Sequence, residues 1–129
     1  MKYMLLIHAD QGAWSGLPSW EPEDFKRMVE YMVDLDAGLR ASGELLDDNG
    51  LTGPGSARTV QAQADGAAVV RDGLRDGATD FLAGYWVVDV ASPERAVEIA
   101  TQISVTPGPG GRPVNQQVEV HAIGERPDV

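Results

Sequence analysis

An α+β sandwich, an antiparallel sheet with both helices on one face, is the fold predicted for this chain of 129 residues. Three observations predict it. The β-rich run Phe81–Val90 meets a helix start at Ser92-Pro93 with almost no linker, and the segment Gln117–Ile123 reads as a closing strand after that helix. The first half repeats the order, a strand over Lys2–His8 and then a helix over Pro22–Leu39. Helices set between strands that must pair non-sequentially give the ferredoxin-like arrangement.

Each element has a local reason. Lys2–His8 is short, apolar and β-rich, and Asp10–Trp20 is a loop marked by Gly12, Gly16 and Pro18 that carries Trp14 and Trp20. Glu21, Glu23 and Asp24 suit the positive end of the first helix dipole. Phe25, Met28, Val29, Met32, Leu35 and Leu39 recur at three- and four-residue steps, so this helix buries one face. Ser42-Gly43 ends it, and Glu44–Leu51 forms a short strand before Thr52-Gly53-Pro54-Gly55. Arg58–Ala64 and Ala67–Arg71 flank Asp65-Gly66, a hairpin signal. Gly73–Asp80 is a loop. Ser92 caps the second helix with Pro93 at its first position, and Ala96, Val97, Ala100 and Ile103 are expected to be buried. The Pro- and Gly-rich stretch Val105–Asn115 is a connector.

Length permits one hydrophobic core, so residues 1–129 are read as a single domain, with Gly124–Val129 a frayed tail. Cysteine is absent, which excludes disulfides and thiolate zinc sites. The apolar start is too short for a secretory segment and no apolar run reaches membrane-span length, so a cytoplasmic location and no membrane partner are expected. Twenty acidic residues against ten basic ones give a net charge of −10, which argues against nucleic acid. The same balance mildly favours a neutral or cationic ligand, although a local pocket can overrule it. No metal is expected, because two histidines with scattered carboxylates give no ligand spacing. No cofactor is expected either, since phosphate-binding loops are missing.

Tyr85 and Val87 alternate with Trp86 and Val88, so both faces of the central strand are apolar. An uncovered apolar sheet face is costly in water, and a homodimer packed sheet to sheet is therefore expected.

Several segments resemble the YCII-related family, in the branch named for a DGPF motif. Met1–Ile7 is similar to that family's first strand, and Leu39-Arg40-Ala41-Ser42-Gly43-Glu44-Leu45 to its helix exit. Asp72-Gly73 followed by Phe81–Val90 resembles the motif and the strand after it, and Thr106–Gly111 with Val118-Glu119-Val120 the closing loop and strand. The resemblance runs from Met1 to about Ile123 and implies a ferredoxin-like domain of the dimeric α+β barrel type. The motif is degenerate, with Leu74-Arg75 where the family has proline and an aromatic. Family members resemble small lyases or isomerases. The His–Asp pair proposed in one branch has its histidine near the first helix, where this chain has none, and it is not carried over.

His8 and His121 are the candidate acid–base groups, since imidazole exchanges protons near neutral pH. In the last strand Val118, Val120 and Ala122 suit the helix-packed face, which sends Glu119, His121 and Ile123 to the other. The face taken by His8 is ambiguous, because both parities of strand one are apolar. Asp72 could orient a histidine, or simply turn with Gly73. Tyr85 and Glu119 are candidate substrate contacts, as are Trp14 and Trp20, which would form a lid or else staple onto the first helix. Two functions follow. One is a small cofactor-independent lyase- or isomerase-type enzyme moving a proton on a small, largely apolar molecule. The other is a non-catalytic ligand-binding or regulatory module. The fold alone does not choose between them.

Overall fold

The computed structural model describes residues 1–12 and 19–128. Its strands are β1 (Lys2–Asp10), β2 (Leu45–Gly50), β3 (Arg58–Ala62), β4 (Ala68–Asp72), β5 (Asp80–Asp89) and β6 (Val118–Ala122), and its helices are α1 (Pro22–Ala41) and α2 (Pro93–Ser104). Four strands form one antiparallel sheet in the order β2-β5-β1-β6, with β1 and β5 at the centre. That non-sequential order is ferredoxin-like. β3 and β4 pair only with each other, as a hairpin inserted between β2 and β5.

Local chemistry sets the helix ends. The Asp24 carboxylate accepts the Glu21 amide at 3.0 Å, closing the first turn of α1 behind Pro22. The same carboxylate accepts the Gly110 amide at 3.0 Å, so it also pins the loop that follows α2. Ser92 Oγ accepts the Arg95 amide at 3.2 Å as the N-cap of α2. Arg95 then clamps both oxygens of Glu44 at 2.9 Å, tying the start of α2 to the entry of β2.

The core packs Leu5, Trp86, Val88 and Val90 of the sheet side against Leu39, Ala96, Ile99 and Ile103 of the helices. Two expected core positions, Val29 and Val97, are instead 52% and 55% exposed, while Ile99 is fully buried. At about 100° per residue the stripe through Ala96 and Ile103 takes in Ile99 and leaves Val97 outside it. The Asp65-Gly66 hairpin forms with three turn residues rather than two. Gly66 donates to Gln63 O and takes φ +86°, a left-handed conformation that favours glycine. Both hairpin strands are largely exposed, with Val60 and Val70 directly opposite each other at 62% and 55% exposure.

Parity in β1 is settled by pairing. Leu5 stands opposite Trp86 and Val120, all turned to the helices. Met4, Leu6 and His8 therefore share the open face with Tyr85, Val87, Glu119 and His121. Among the described residues no helix is long and apolar enough to cross a membrane.

Candidate functional site

β1 and β6 run antiparallel with Leu6 opposite Glu119 and Met4 opposite His121. Because alternate side chains share a face, His8, Glu119 and His121 emerge on the open side of the sheet. Glu119 stands between the two imidazoles. His8 Nε2 lies 2.8 Å from Glu119 Oε1, and His121 Nε2 lies 3.7 Å from Glu119 Oε2. The shorter contact brings the His8 ring nitrogen against the carboxylate as an ion pair when the imidazole is protonated. The side chains are 36% exposed at His8 and 54% at both Glu119 and His121.

A cleft of about 240 Å³ opens beside His8, where the end of β1 and the start of β5 meet the stem of the hairpin. Its polar wall includes Arg58, Thr59, Arg75 and Asp80, and Leu74, Phe81 and Leu82 supply apolar surface. Tyr85 and His121 do not line it. Tyr85 stands across Leu6 from Glu119, two strands away, which is roughly 10 Å by strand spacing. Its hydroxyl donates to Asp47 Oδ2 at 3.2 Å and accepts from Asn49 Nδ2 at 2.9 Å, a separate polar cluster at the β2 edge.

The remaining candidates divide. Asp72 faces Arg58 Nε at 3.6 Å, and its carboxylate is 96% exposed; it partners neither histidine. The carboxylate beside His8 is Glu119, because β6 borders β1 whereas Asp72 ends the separate hairpin. Trp20 stacks at 5.3 Å on Phe25 of α1, and its ring lies by Gly108 in the loop after α2. Trp14 falls outside the described residues. Arg58 and Arg75 were not singled out as site residues by sequence. The only available signal was the altered motif, in which Leu74 and Arg75 take the places of proline and an aromatic.

Three carboxylates are perturbed away from this site. A hydrogen bond from the Gly110 amide holds Asp24 below the usual range, and the Arg95 clamp does the same for Glu44. Asp48, on β2, is pushed up to about 6, first by its hydrogen bond with Asp36 of α1 and then by burial. Asp36 also accepts the Trp86 indole N–H at 3.1 Å, and Arg40 approaches Asp48 at 3.3 Å. Among the described residues no group of three His, Cys, Asp or Glu side chains is arranged to hold a metal ion.

A ferredoxin-like sandwich with an inserted hairpin and a histidine–carboxylate row on its open face defines the class of protein. The chain belongs to the YCII-related family, whose domain it matches over residues 1–109. That match takes in His8, the cleft and the altered motif, and ends before β6, so Glu119 and His121 join the site on structural grounds. A comparison with curated proteins found no match.

Proposed function

We propose that this protein is a small cofactor-independent enzyme of lyase or isomerase type that moves a proton on a small, largely apolar molecule. One observation carries the reading: the His8–Glu119 contact of 2.8 Å beside a cleft that His8 lines. With Nε2 against the carboxylate, Nδ1 takes a proton from a carbon next to a carbonyl, and the C–H electron pair passes into the enolate. Glu119 orients the ring and holds the imidazolium that forms. Return of the proton to another carbon completes an isomerisation, while loss of a leaving group from the enolate completes an elimination.

The row is too open for such chemistry in a single chain, and we propose that a second copy covers it, sheet face to sheet face. Met4, Leu6 and Val87, partly exposed apolar side chains on that face and outside the helix-side core, support this. The openness of Glu119 and His121 is also what a ligand-binding or regulatory module would show, and that is the second reading.

Deuterium uptake from D₂O into small ketones and aldehydes, followed by proton NMR, tests the enzyme reading. The wild type should accelerate exchange, and His8→Ala should lose on the order of 10²–10⁴ of the rate with a nearly unchanged melting temperature. Glu119→Gln should fall between them. Equal exchange by all three proteins would leave the binding module as the better account.

A further inference from the structure

The cleft beside His8 has an electrostatic character that the whole-molecule charge conceals. The chain carries a net charge of −10, and several of its arginines are already engaged. Arg95 is held by Glu44 and Glu98, Arg27 by Asp24, Arg40 by Asp48 and Arg71 by Asp76. Arg75 has no acidic partner within ion-pair distance among the described residues, and it lines the cleft. Arg58 lines it too, and among the described residues its one ion pair is to the exposed Asp72 at 3.6 Å, a long contact in high dielectric that a ligand can displace. Asp80 is the one acidic residue in the lining, so the arginines outnumber it. Leu74, Phe81 and Leu82 are the large apolar side chains of the same lining. They also border a neighbouring cleft of about 370 Å³ that runs on toward Leu51 and Pro54.

A guanidinium with free N–H groups, beside apolar surface and a histidine, matches an apolar molecule that carries one carboxylate. Resting on the proton-transfer reading for its functional meaning, we propose that this cleft binds small monocarboxylates. Arg75 is the anchor, Arg58 the supporting cation, and the ligand's apolar body lies along Leu74 and Leu82. The altered motif thereby becomes a specificity element: Leu74 and Arg75 supply an apolar wall and a cation at the positions where the family has a proline and an aromatic. The negative surface elsewhere does not oppose binding strongly, because exposed charges beyond about 10 Å are screened at physiological salt.

Binding is measured directly, without turnover, using benzoate as the probe and benzamide as its neutral isostere. Titrated at neutral pH into ¹⁵N-labelled protein, benzoate should shift the Gly73 and Leu74 amide resonances, and benzamide should not. Arg75→Gln should weaken benzoate on the order of tenfold or more, the usual effect of losing a charged hydrogen bond. Arg75→Lys should recover part of that loss, and Arg112→Gln, in the loop after α2, should change nothing. An unchanged amide spectrum away from the cleft shows that each variant folds. Equal binding of benzamide, full binding by Arg75→Gln, or no shift at Gly73 and Leu74 would overturn the proposal. Benzoate binding without carbonyl deuterium exchange would sink the proton-transfer reading and leave this site standing; exchange without benzoate binding would do the reverse.

Discussion

Trp86 shows how much one residue contributes on the helix side of the sheet. Its side chain is 3% exposed in the core, and its indole N–H reaches Asp36 on α1. Trp86→Ala should destabilise by about 3–5 kcal/mol in urea unfolding, the range for deleting a large buried aromatic. The neighbouring Asp36–Asp48 pair makes a pH prediction of definite sign. Asp48 holds its proton up to about pH 6 in the folded state and releases it near 4 when unfolded. Between those values the folded state binds more protons, so stability falls as pH rises from about 4 to above 6 and then levels. Arg40 from α1 and Trp86 from β5 face the pair as well, and Arg40 works in the opposite direction. Glu44 and Asp24 contribute stability that is lost only as pH falls below their ordinary range, so they add no slope from pH 5 to 7, and comparison with Asp48→Asn assigns the slope to Asp48. Melting temperatures over that scan should decline for the wild type and decline less for Asp48→Asn. Parallel curves would show that the pair does not share a proton.

Among the elements, the β3–β4 hairpin and the start of α2 differ most in how firmly they are held. An isolated two-stranded hairpin is marginal in water. This one exposes Val60 and Val70 on one face and is anchored at its stem, where the Gly73 amide donates to Ala57 O at 2.8 Å and Thr59 Oγ1 to Gly73 O at 2.9 Å. Hydrogen exchange should therefore be fast in Gln61–Val69 and slow at the stem, unless a second copy covers the tip. The Arg95–Glu44 clamp is the contrasting case, with two charge-assisted bonds between α2 and β2 at partly buried atoms. Arg95→Ala should destabilise by about 1–3 kcal/mol in denaturant unfolding. A change within about 0.3 kcal/mol would mean that water replaces the clamp at no cost.

For the molecule as a whole, the open sheet face makes the prediction. Met4, Leu6 and Val87 leave apolar surface beside the His8–Glu119–His121 row, and a sheet-to-sheet dimer would bury both. Light scattering at micromolar concentration should give twice the chain mass, and Leu6→Glu should shift it to the monomer while the helix-side core stays intact. A wild type that remains monomeric at millimolar concentration would remove the cover that the enzyme reading needs.

Element order and helix positions were legible from short-range signals alone. Ser92-Pro93 starts α2, Pro22 starts α1, and the period-two apolar run marks β5, because capping and periodicity act over a few neighbours. Within that reach the sequence by itself also determined that Glu119 and His121 share a face of the last strand. It could not determine the face of His8, since both parities of β1 are apolar; only pairing with β5 and β6 decided that. It offered Asp72 as a carboxylate partner, whereas the sheet order β2-β5-β1-β6 put Glu119 there and left Asp72 with Arg58 on the hairpin. Arg58 and Arg75 come to the same cleft as His8 because the stem of the separate hairpin lies against the ends of β1 and β5. Those residues lie far apart along the chain, and only contacts between distant segments, strand pairing within the sheet and the seating of the hairpin stem, bring them together.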